Sequence, residues 1–132
     1  MIFVDTSALY AVLDRDDARH REASDAWKQL LQSSAPLLTH NYVLIEMAAL
    51  AQNRLGLAAV RALQEDVTPV LRVHWIVEAE HDMAVQMVLA AGRKKLSVVD
   101  CASFVVMRGH GIRDAFAFDA HFREQGFRTT PQ

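Results

Sequence analysis

"IFVDTSALYAVLDRDD", residues 2–17, sets three apolar residues directly before a carboxylate, Asp5, and then opens a helical pattern. A short apolar run followed at once by a helix is the repeating unit of a parallel α/β sheet. The Thr6 and Ser7 hydroxyls are expected to cap that helix, and the acidic break Asp14–Asp17 to end it. A carboxylate at the end of a buried strand is costly unless it is paired, hydrogen-bonded or bound to a metal. What neutralises Asp5 is therefore the question that links fold to function.

The same alternation continues along the chain. "ARHREASDAWKQLLQSS" (18–34) brings Ala23, Trp27, Leu30 and Leu31 round at helical spacing, and "PLLT" (36–39) reads as a second strand. "NYVLIEMAALAQNRLG" (41–56) is helical, with Val43, Met47, Leu50 and Ala51 on one face and Gly56 as its terminator. A helix over 57–67 and a strand within "PVLRVHWIV" (69–77) follow. Next come helices over 78–95 and, capped by Ser97, over 98–111. "DAFAFD" (114–119) reads as a strand ending at Asp119, "AHFREQG" (120–126) as a short helix, and "FRTT" (127–130) as a last strand. With no repeat or linker, this predicts one domain over residues 1–132. Its expected form is a three-layer α/β/α sandwich with a mostly parallel central sheet.

Composition narrows the function classes. The 132 residues are 52% hydrophobic and 23% charged, ordinary for a globular chain able to bury a real core. The single cysteine, Cys101, permits no internal disulfide, and no apolar run approaches the ~20 residues of a membrane span, so a cytoplasmic protein is expected. A net charge of −2 does not advertise a nucleic-acid binder. Arg93, Lys94, Lys95, Arg108 and Arg113 nevertheless cluster around one acid, Asp100. That cluster reads as a solvated face unless other evidence makes it a phosphate-attracting rim.

In sheets of this kind, ligands bind beyond the carboxyl ends of the strands. Asp5 and Asp119 each follow a strand, Asp100 lies in the first turn of its helix, and Glu46 interrupts the apolar run "YVLIEMAAL". Each has an ordinary structural explanation as a cap, a helix-end charge or a residue reaching solvent. All four being structural at once is harder to sustain. Carboxylates brought together repel, and a divalent cation relieves this. Oxygen ligands without a Cys/His cluster point to Mg²⁺ or Mn²⁺ rather than Zn²⁺, and such a site suits phosphodiester hydrolysis.

Four blocks then carry a resemblance: "VDTSAL" (4–9), "LTHNYVLIEM" (38–47), "LSVVDCASF" (96–104) and "FAFDAHF" (116–122). Together, in this order and at these separations, they resemble a PIN domain, specifically the ribonuclease toxins of the VapC type in bacterial toxin–antitoxin pairs. The resemblance covers the whole chain and implies an Mg²⁺- or Mn²⁺-dependent endoribonuclease. Its acidic site falls on Asp5, Glu46, Asp100 and Asp119, with Asp5 and Asp100 the most direct ligands. It further implies that Thr6 and Ser7 support Asp5, and that Thr39, Asn41 and Ser97 orient Glu46 and Asp100. Arg93, Lys94 and Lys95 become candidate contacts to RNA phosphates. A cognate antitoxin and a homodimer are the implied partners.

Two positions depart from the pattern. Ala117 stands where the family commonly has Thr or Ser, and His121 where a further acid is common; His121 is expected to be an exposed helix histidine, the alternative being that it replaces that acid as a ligand or contacts phosphate. Trp27 and Trp75 are read as core rather than base-stacking residues. The competing readings are a catalytically quiet PIN-fold module binding RNA or protein, and an aspartate-based phosphotransferase. The phosphotransferase needs a second Asp two residues after the first, where this chain has Ser7.

Overall fold

The computed structural model describes residues 1–92 and 96–132, so Arg93, Lys94 and Lys95 lie outside the described residues. The elements run β1 (Ile2–Val4), α1 (Thr6–Leu13), α2 (His20–Gln32), β2 (Leu37–His40), α3 (Asn41–Arg54) and α4 (Leu57–Ala62). After them come β3 (Arg72–His74), α5 (Glu78–Ala91), α6 (Val98–His110), β4 (Asp114–Phe116), α7 (Ala120–Glu124) and β5 (Arg128–Thr130). The sheet has five strands in the order β3-β2-β1-β4-β5, and every pairing is parallel. The expected mostly parallel sheet is thus entirely parallel.

Parallel strands need crossovers, and these are right-handed in almost all proteins. The connections β1→β2→β3 step one way, so they lay α1–α4 on one face; β3→β4→β5 step back, so they lay α5–α7 on the other. Contacts follow this division, with α1 packing on α2 and α3, and α5 on α6.

Strand alternation sends successive side chains to opposite layers. Phe3 faces α6 and α7, stacking 6.2 Å from Phe122, which meets Phe104 edge-on at 5.2 Å. Val4 pairs in register with Phe116, which faces the other layer and stacks 5.8 Å from Trp27 of α2. Phe3, Phe104, Phe116 and Phe122 are fully buried. Phe122 therefore pins α7, and with it Asp119, against the central strand.

Several local expectations are corrected. The α1 cap is Asp5 itself, whose carboxylate accepts from the Ser7 N–H; the Thr6 and Ser7 side chains are inside the helix. "DAFAFD" stops pairing as a strand at Phe116, three residues before Asp119, because Asp119 leaves the sheet to cap α7. β3 is only three residues long, since Pro69 lacks a ladder donor and sits in a 3₁₀ turn. Trp75, just beyond β3, is 69% exposed rather than core. The helix over 57–67 loosens into a π turn after Ala62. Leu50 is half-buried, outside the buried stripe Val43–Met47–Ala51 of α3. Among the described residues no helix is long and apolar enough to cross a membrane.

Candidate active site

β1 and β4 are neighbours whose onward connections leave in opposite directions, toward β2 and toward β5. A crevice opens at the carboxyl ends of two such strands. Here it is a cavity of about 270 Å³ lined by Asp5, Thr6, Ser7, Glu46, Ser97, Asp100 and Asp119. The four expected acids thus come to one place from four directions: Asp5 from the end of β1, Glu46 from α3, Asp100 from α6 and Asp119 from the start of α7.

Asp5 is 3% exposed. Its Oδ2 accepts from the Ser7 hydroxyl at 2.6 Å and from the Ser7 N–H at 3.1 Å. The Ser7 oxygen in turn accepts from the Phe118 N–H at 3.0 Å. One hydroxyl therefore joins the first wall of the cavity to the segment carrying Asp119. Ser7→Ala removes the bond to Asp5 and leaves the Phe118 N–H without this acceptor. A loss of about 1–3 kcal/mol is expected from urea denaturation.

Asp100 is held by a capping box: Ser97 Oγ accepts from the Asp100 N–H at 3.0 Å, and Asp100 Oδ2 accepts from the Ser97 N–H at 3.3 Å. Ser97 is therefore in contact with Asp100. Thr39 and Asn41 are not placed to orient Glu46 or Asp100. The Thr39 hydroxyl donates to the Val4 carbonyl at 2.9 Å, tying β2 to β1, and Asn41 Oδ1 accepts from the Ile76 N–H at 2.6 Å. The polar end of β2 that caps α3 is His40, whose Nδ1 accepts from the N–H groups of Tyr42 and Val43. Ala117 is fully buried, and its N–H donates to the Thr130 carbonyl at 3.2 Å.

The electrostatics are those of buried carboxylates held close together. Burial pushes the Asp5 carboxyl up to about 7, against the Ser7 hydrogen bond, with the charges of Asp100 and Asp119 adding to the rise. Burial and the Asp119 charge likewise raise Asp100. The Thr6 hydroxyl, buried in the cavity lining, has no hydrogen-bond partner among the described residues. Clustered carboxylates together with an orphaned hydroxyl fit a hydrated divalent cation, whose water would supply the missing partner.

Sequence reasoning missed two features. His121 is 9% exposed, not an exposed helix histidine, and one of its ring nitrogens lies with carboxylate oxygens of Asp100 and Asp119, all within 4.8 Å of one another. The signal was the adjacent Phe122, which draws the short helix inward. Arg19, at the start of α2, stacks 4.7 Å over Phe118, the residue before Asp119; no sequence pattern marks that contact.

Comparison with known proteins agrees with this fold. A family model described as the PIN domain matches residues 2–128. The chain is 38% identical over 129 residues to the 23S rRNA-specific endonuclease VapC20 of Mycobacterium tuberculosis, covering 96% of this chain and 95% of that protein. It superposes on the crystal structure of Mycobacterium tuberculosis VapC20, a sarcin–ricin loop cleaving toxin, with a TM-score of 0.84 and 35% identity over 96% of each chain. FitAcB from Neisseria gonorrhoeae shares the fold, with a TM-score of 0.67 and 14% identity over 98% of this chain and 96% of that one.

Proposed function

The chain belongs to the PIN domain family, and from that premise we propose that it is an Mg²⁺- or Mn²⁺-dependent endoribonuclease of the toxin type, cutting the sarcin–ricin loop of 23S rRNA. The observation that carries the reading is the convergence of Asp5, Glu46, Asp100 and Asp119 on one cavity beside an unpartnered buried hydroxyl. The loop assignment rests on the likeness to VapC20 over nearly the full length of both chains.

Asp5 and Asp100 hold the cation, because they are the most buried of the four acids and gain most from its charge. Once bound, the cation makes water a stronger nucleophile and steadies charge on the leaving oxygen. Glu46 and Asp119 complete the shell, directly or through water, and position the attacking water from the α3 side and from the opposite rim. Ser7 fixes the Asp5 carboxylate through its 2.6 Å bond, and Ser97 fixes Asp100. Arg19 offers positive charge to an RNA phosphate beside Phe118. The partners that go with this reading are a restraining antitoxin and a second copy of the chain, and its compartment is the cytoplasm.

Cleavage of 23S rRNA fragments tests it. Purified protein is expected to cut a fragment carrying the sarcin–ricin loop with Mg²⁺ or Mn²⁺, and to stop under excess EDTA. Undiminished cleavage in EDTA would overturn the metal assignment. Equal cutting of a fragment whose loop sequence is scrambled would overturn the substrate. Metal-stimulated binding without turnover would instead favour a quiet binding module.

A further inference from the structure

Resting on the metal-dependent reading above, we infer that His121 is a direct ligand, through Nε2, of the cation shared by Asp100 and Asp119, and that this nitrogen makes the site prefer Mn²⁺ to Mg²⁺. Three observations carry it. The His121 Nδ1 lies 3.3 Å from Glu124 Oε2. A carboxylate only accepts, so Nδ1 carries the proton, and neutral imidazole then presents an unprotonated Nε2. A carboxylate bonded to the far nitrogen is the usual way a protein aims a histidine at a metal.

The aimed nitrogen faces the right atoms. Nε2 is 3.8 Å from Asp119 Oδ1, too long for a hydrogen bond and within the span of two ~2.1 Å metal–ligand bonds. The wider group, with Asp100, lies within 4.8 Å. To share one ion the three atoms must draw closer, since neighbouring ligands of an octahedral ion stand about 3 Å apart. On the cavity that Asp100 and Asp119 line, the Thr6 hydroxyl is buried with no partner among the described residues, which independently marks room for a bound group.

Ligand chemistry sets the preference. Mg²⁺ favours oxygen in strict octahedral geometry, whereas first-row transition metals accept imidazole readily. One imidazole added to the carboxylates of Asp5, Asp100 and Asp119 thus separates this site from an all-carboxylate one, and the separation is in metal choice rather than in reaction.

The test reads the metal directly. Mn²⁺ bound to the full chain without RNA is examined by pulsed EPR, in the wild type and in His121→Asn and Glu124→Gln. The wild type is expected to show coupling of Mn²⁺ to a coordinated imidazole nitrogen, and His121→Asn to lose it. Competition titrations should show the Mn²⁺-over-Mg²⁺ affinity ratio falling about tenfold in His121→Asn, with Mn²⁺ affinity falling about tenfold in Glu124→Gln. Mn²⁺ bound to the wild type with no nitrogen coupling would overturn the ligand assignment and leave the acidic site standing. An unchanged affinity ratio in His121→Asn would overturn the preference. Failure of the wild type to bind Mn²⁺ at all would overturn the metal-dependent reading together with this one. The wild-type spectrum decides the ligand assignment even if His121→Asn does not fold.

Discussion

Asp5→Asn is expected to abolish RNA cleavage while making the metal-free protein harder to unfold. Asparagine keeps an oxygen to accept from Ser7 but carries no charge for a cation. Cleavage should fall by roughly 10²–10³-fold or more, measured with Mg²⁺ or Mn²⁺ in excess. The stability change follows from linkage. The folded carboxyl sits at about 7, against an ordinary value of 3.8 in the unfolded chain. As pH rises from 4 to 7 the unfolded chain loses this proton while the folded chain keeps it, so stability falls. The variant escapes that loss, and at pH 7 should be about 2–4 kcal/mol more stable by urea denaturation. Below about pH 3 the advantage should vanish, because both states of the wild type are then largely protonated. Added Mn²⁺ should narrow the gap by stabilising only the wild type. A variant less stable than the wild type at pH 7 would show that Asp5 is satisfied by its hydrogen bonds alone.

The second large effect has the opposite sign. His40 is fully buried, and both ring nitrogens are engaged. Nδ1 accepts from the Tyr42 and Val43 N–H groups, and Nε2–H donates to Ser103 Oγ at 2.8 Å. The Ser103 hydroxyl is itself donating to the Val99 carbonyl at 2.9 Å, which fixes the neutral tautomer. Burial, then the His74 charge, push His40 down to about 4 from 6.5, with Glu80 countering in part. Above pH 6.5 both states are neutral and nothing depends on this ring. Between 6.5 and 4 the unfolded chain takes up a proton that the folded chain refuses, so stability falls with pH, by about 3 kcal/mol in all. In the wild type the Asp5 gain offsets this loss over the same window. Asp5→Asn should therefore unmask a steep acid sensitivity, and an additional His40→Gln change should flatten it. A double variant as acid-sensitive as Asp5→Asn alone would remove His40 from the account.

The alternation of strands and helices was readable because each strand is a short apolar word bounded by a polar one, as in "IFVD". The four acids were readable for a related reason: Asp5 and Glu46 break apolar runs, and the other two stand at element ends. What local sequence does not encode is the partner across the fold. Thr39 and Asn41 have the right polarity for supporting roles, yet their bonds go to Val4 and Ile76, a choice made by register. His121 looked exposed in a seven-residue helical word, and only the packing of Phe122 on Phe3 and Phe104 buries it. β3 was overread because Trp75–Val77 has strand-forming side chains, whereas Trp75 and Val77 are exposed.

Ser7 and Phe118 are 111 residues apart, and their bond closes the cavity. β1, the first described strand in sequence, is also the middle strand, and its partner β4 comes only at Asp114–Phe116. Until β4 docks on β1, Asp5 therefore has no opposing wall. A site joined across so long a stretch of chain is made by tertiary closure alone, so any opening that parts Phe118 from Ser7 also takes the acidic cavity apart.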